Sequence, residues 1–252
     1  MNKQKIAAAV LIGAVTIGFG FWRWRVGGKT HAAHSVEVWD RSESIATGCD
    51  CVVSAARRAL QSPYLGRGAT LTVIGTGDAS SASEPIVVAR YEVPVNRRAL
   101  EGRTAAVDRR EELLDDLKKK CENVGRTKAS PIYLALKRAA DELRAAGCDD
   151  NSNCFVLVQT DLEENINLQI KRALDGGTSV NQALPAPINN DGIAVVISGI
   201  AETVGVTKAS DGVTRRLTSN RDQQRPDRLV EVWRKLFTSP NRVTFQPYCP
   251  QN

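Results

Sequence analysis

Five oxygen-bearing side chains stand where chemistry could be done: Asp40, Ser42 and Ser44 in one turn, Ser130 in a second and Asp161 in a third. Residues 36–44 read Val-Glu-Val-Trp-Asp-Arg-Ser-Glu-Ser, a short apolar strand that ends at Asp40 with two hydroxyls beyond it. Alternate residues of an extended chain project to one side, so a carboxylate and two hydroxyls can share one crevice. Oxygen donors of this kind suit a hard divalent cation, Mg²⁺ or else Mn²⁺ or Ca²⁺. Asp and Ser also crowd strand-to-helix turns as helix caps, a reading that stays open beside the first.

For three turns to meet, the elements between them must put them on one edge. From residue 35 strands and helices alternate, which predicts an α/β, Rossmann-like doubly wound sheet, mainly parallel. Strands are expected over 35–39, 70–74, 86–93, 154–159, 193–197 and 243–245, and helices over 47–60, 100–121, 132–146, 165–174 and 226–237. The strands at 70–74 and 86–93 are close enough for a hairpin, and Pro94 suits an antiparallel edge strand. In the 100–121 helix Val107, Leu114, Leu117 and Cys121 can share one apolar stripe, with Lys118, Lys119 and Lys120 on a solvated face. Residues 175–191 read as a loop and 202–220 as an excursion with room for a small hairpin. All carboxyl ends of a parallel sheet lie on one edge, where ligands bind at a reversal of strand order. Asp40 and Asp161 both end strands, and Ser130 opens the helix leading into the second. Glu163 and Glu164 read as solvated.

At this point the chain resembles a von Willebrand factor type A (VWA) domain over residues 35–248. Asp40-x-Ser42-x-Ser44 matches that family's Asp-x-Ser-x-Ser metal-site signature. Ser130-Pro131-x-x-x-Ala135-Leu136 resembles its Thr-Pro-x-x-x-Ala-Leu segment, with Ser for Thr, and Asp161 stands where the third loop carries its Asp. The resemblance implies a metal-ion-dependent adhesion site (MIDAS). Ser42, Ser44 and Ser130 would supply hydroxyl ligands, Asp40 and Asp161 would act mainly through metal-bound water, and a partner's acidic side chain would complete the coordination. Two departures stand out. Leu162 replaces the Gly often found after the third-loop Asp, and Thr127 offers an alternative hydroxyl to Ser130.

Charge narrows the partners. The formal net charge is +6, but Lys3, Lys5, Arg23, Arg25 and Lys29, with no acid before residue 30, account for all but one of it. Residues 30–252 are therefore nearly neutral and give no argument for nucleic acid. Residues 6–22 form an uncharged apolar run behind a basic head, long enough at about 1.5 Å per residue to cross a bilayer marginally. Phe21, Trp22 and Trp24 would sit in an interfacial belt with Arg23 and Arg25 beside them. Residues 1–25 are thus expected to be a single-pass membrane anchor and 26–34 a linker. A cleaved signal peptide is the rival, with a poor cleavage region, and a buried helix the third reading.

Six cysteines, an even number, argue for an exported domain. Cys148 and Cys154 bracket a polar loop that a disulfide would close. Basic residues flank both ends of the anchor and their count slightly favours the opposite side. Zinc is the competing use of the thiols, but Cys49-x-Cys51 has the wrong spacing for a knuckle.

Three functions follow as expectations. The first is a membrane-tethered adhesion module gripping a protein partner through the cation, without catalysis. The second is a metal-free scaffold built on the same fold. The third, a metal-dependent hydrolase, has no Gly-rich phosphate loop, Gly-x-Ser-x-Gly elbow or His-Glu-x-x-His to support it.

Overall fold

The strand that ends at Asp40 is the pivot of the sheet. In the computed structural model the described residues are 33–42, 48–61, 68–77, 84–94, 105–127, 129–150, 152–164, 166–175, 184–200, 206–208, 214–216 and 220–246, with the backbone alone for 206–208, 214–216 and 220–226. The chain divides into two units, Met1–His31 and Ala32–Asn252, and all described residues belong to the second. The predicted anchor at 6–22 lies outside them, as do Ser44 and Cys249; among the described residues no helix is long and apolar enough to cross a membrane.

In chain order the elements are β1 (His34–Trp39), α1 (Gly48–Leu60), β2 (Thr70–Gly75), β3 (Ile86–Glu92), α2 (Ala105–Asn123), α3 (Ile132–Ala145), β4 (Cys154–Gln159), α4 (Leu168–Leu174), β5 (Ile193–Ser198), β6 (Val206–Lys208), β7 (Thr214–Arg216), α5 (Asn220–Lys235) and β8 (Val243–Gln246). The main sheet runs β3-β2-β1-β4-β5-β8, and β6 pairs with β7 in a separate ribbon within the predicted excursion. β1 pairs in parallel with β2 and with β4, β4 with β5 and β5 with β8; β3 alone is antiparallel, on the edge that Pro94 suggested.

Alternation along the central strands feeds a core on each face. Val36, Val38, Val156 and Val158 meet apolar residues of α3, α4 and α5, while Trp39, Leu71 and Val73 meet those of α1 and α2. The amphipathic faces were mostly legible. Leu229, Val232, Trp233, Leu236 and Phe237 are all buried, at the spacing expected of α5 and the turn that ends it. Val107 is the exception, 52% exposed. The stripe of α2 is centred on Ala106, Leu113, Leu114 and Leu117, and Val107 falls on its rim.

Helix ends moved where polar residues carry no period. α5 begins at Asn220, six residues before Pro226, because its first turns are polar and only the stretch from Leu229 is amphipathic. α4 begins at Leu168 because Asn167 caps it, its side chain accepting from the backbone N–H groups of Gln169 and Ile170. Cys148 and Cys154 form a disulfide, closing the predicted loop between α3 and β4. Cys51 is also disulfide-bonded, whereas Cys49 and Cys121 are free thiols.

Candidate functional site

Register places the site. Trp39 is level with Gly75 on one side and with Gln159 on the other, so Asp40, Thr76 and Thr160 each stand one step past the same line. The backbone continues the ladder there, Asp40 N–H donating to Gln159 O and Thr76 N–H to Trp39 O, both at 2.9 Å. Asp40 is 1% exposed and ringed by donors from three other segments. Its Oδ2 accepts from Ser130 Oγ at 2.7 Å and Thr160 Oγ1 at 2.8 Å. Oδ1 accepts from the Ser42 backbone N–H at 3.0 Å and Thr76 Oγ1 at 3.2 Å. A carboxylate offers about four lone-pair directions, and these contacts use them all.

The turn after β1 is tied down on both sides. Arg41, buried beside Asp40, donates from its guanidinium to the carbonyls of Gly77 and Gly125. Gly75 gives it room, since a Cβ there would stand 2.6 Å from Arg41 Cδ. Ser42 pairs with Thr127 in an isolated parallel bridge, with Thr127 N–H donating to Arg41 O at 3.0 Å. Thr127 Oγ1 accepts from Ala129 N–H at 3.1 Å, which shapes the loop that delivers Ser130. Ser130 does not cap α3: Pro131 takes that position without a side-chain bond, and the Ser130 hydroxyl is spent on Asp40.

The third turn is the most constrained. Asp161, 1% exposed, accepts from Glu163 N–H at 3.0 Å through Oδ1. Leu162 holds a left-handed φ of 65°, the conformation for which Gly is the ordinary choice, while its side chain is wholly buried. Trp233 Nε1 donates to Leu162 O at 2.9 Å and pins the turn to α5. Glu164 corrects the sequence expectation that it is solvated: it is 3% exposed. Its Oε2 accepts from Tyr133 N–H and its Oε1 from Ile166 and Asn167 N–H, so it joins the start of α3 to that of α4. Burial raises its pKa, the three backbone donors oppose that, and the charge of Asp40 adds to the rise.

Asp40, Ser42, Ser130 and Asp161 thus lie in turns on one sheet edge, Asp40 bonding both Ser42 and Ser130; Ser44 is outside the described residues. Thr76 and Thr160 were not singled out from sequence, although their place one residue beyond β2 and β4 is the signal that strand register would have supplied. The donor set, carboxylate and hydroxyl oxygens without imidazole, is the kind a hard cation takes. Among the described residues no cluster of three or more His, Cys, Asp or Glu side chains is placed to hold a metal, so any cation here would rely on hydroxyls. No protein-family model matches the chain, and no curated protein matches it significantly.

Proposed function

We propose that residues 35–248 form a VWA-like module, tethered through residues 6–22 and facing the extracytoplasmic side, that grips a protein partner through a divalent cation at a MIDAS-type site. The observation that carries this reading is the Asp40 carboxylate gathering hydroxyls from three separate turns. A hydroxyl that donates its proton to a carboxylate keeps its lone pairs for another partner and becomes a stronger oxygen donor. Ser130 would therefore hold Mg²⁺, or Mn²⁺ or Ca²⁺, directly; Ser42, placed by its backbone N–H on Asp40, and Ser44 would add their hydroxyls. Asp40, its lone pairs already engaged, and Asp161 would act through water. Bound there, the cation supplies a Lewis-acidic position for an Asp or Glu of the partner. The strand order with its single antiparallel edge, the two helical layers and the Cys148–Cys154 disulfide support the fold and export parts of the proposal.

The test is calorimetric titration of Mg²⁺ and Mn²⁺ into the full chain, beside an Asp40→Ala, Ser42→Ala double variant. Saturable binding by the parent that the variant lacks is the expected result. Silence at millimolar metal in both calorimetry and thermal shift, with the parent folded, sinks it. One observation favours the metal-free scaffold: Asp40 is fully satisfied by the protein's own donors. Partner binding that survives a chelator would select that reading.

A further inference from the structure

The layer between the sheet and helices α1 and α2 contains a group of side chains that the cation site does not use. Glu37 shares the face of Trp39 on β1, is 0% exposed, and neither carboxylate oxygen has a hydrogen-bond partner. In the same layer lies Cys121, buried in the last turn of α2, with Cys49 packed against the same cluster and the two thiols hydrogen-bonded to each other. Cys49, in the first turn of α1, is half-buried. Burial first, then Cys49, then the charges of Glu37 and Glu122 push the Cys121 thiol up. Cys49 is also raised, by burial, Glu122 and Asp50, against a lowering from Cys121 and Arg126. The pair is asymmetric: one thiol is half-buried, the other enclosed.

We propose that Cys49 and Cys121 are a thiol–disulfide exchange pair, in which Cys49 meets an external disulfide and Cys121 resolves the mixed disulfide. Cys49, as thiolate, attacks one sulfur of a small disulfide such as oxidised glutathione; that S–S bond breaks and one glutathione thiolate leaves. The sulfur of Cys121 then attacks Cys49 Sγ, and its proton passes to the departing glutathione sulfur. The Cys49–Cys121 bond forms as the second glutathione thiolate leaves. Two electrons and two protons have left the pair, and the external disulfide has become two thiols. The product would cross-link α1 to α2 around the core that Val52, Leu114 and Leu117 form.

The test starts from the folded full chain with Cys49 and Cys121 reduced. Oxidised glutathione is added, samples are quenched by thiol alkylation, and linked peptides are identified by mass spectrometry. A Cys49–Cys121 cross-link is expected in the parent, and a persisting glutathione adduct on Cys49 in Cys121→Ala. Failure of the folded parent to form the link overturns the proposal. The readout is thiol chemistry alone, so neither result bears on the cation site.

Discussion

The burial of Asp40 is tolerable because donors surround it, and the same fact makes it sensitive to small changes. In Asp40→Asn the amide nitrogen would meet hydroxyls that now donate to an oxygen, leaving Ser130 or Thr160 without its acceptor. A loss of about 2–4 kcal/mol in urea unfolding is expected, as for a buried charge-assisted network broken at its centre. Retained stability would mean that the hydroxyls re-pair among themselves. Glu37 has the opposite character. Burial raises its pKa well above the usual carboxylate value, so the folded chain holds a proton that the unfolded chain releases. Stability from this group is complete below the unfolded pKa and declines as pH rises toward the folded one. Glu37→Met should remove that decline: melting temperatures of variant and parent should diverge in the variant's favour from pH 5 to pH 8. Glu37 lies on β1 and Asp40 just past its end, yet nothing in the sequence around Glu37 marked it as unpaired. Whether a buried oxygen finds a donor depends on which helix covers it.

At the scale of elements, the turn after β4 sets Asp161 and Leu162 by opposing demands. A left-handed non-Gly residue costs about 1–2 kcal/mol, whereas a fully buried Leu is worth about 2–5 kcal/mol over a truncated side chain. Leu162→Gly would therefore relieve the backbone and still destabilise the domain by about 1–3 kcal/mol, measured by chemical unfolding. A stabilised variant would show that strain outweighs packing. The departure from Gly that the sequence displayed is thus explained by the core beneath the turn: Leu162 is wholly buried there and Trp233 bonds its carbonyl. Strand and helix identity followed from apolar period in most elements. The starts of α4 and α5 did not, since a polar first turn or a cap three residues along has no period to read.

For the molecule as a whole, the sheet has two unequal supports. On the side of α3, α4 and α5 lies the larger core, with the Cys148–Cys154 disulfide at its margin. Closing a loop of this size is worth about 2 kcal/mol in the chain-entropy account. Cys148→Ser with Cys154→Ser should cost about that much and leave divalent-cation binding intact, read by unfolding and calorimetry on one preparation. Loss of the cation response with the disulfide would show instead that the loops of the site depend on it. Element order, the hairpin at the β3 edge, the amphipathic face of α5 and the Asp40-x-Ser42-x-Ser44 motif were determined by the sequence alone. Each rests on residues close together in the chain, where period and spacing carry the information. Tertiary structure alone decided that Thr76 and Thr160 flank Asp40, that Glu164 is buried across two helix starts, and that Glu37 is buried without a hydrogen-bond partner. These depend on parallel register and on which helix packs over which strand. Such pairings join residues 31 to 120 positions apart, as between Glu164 and Tyr133 or Asp40 and Thr160, through tertiary contact rather than local pattern.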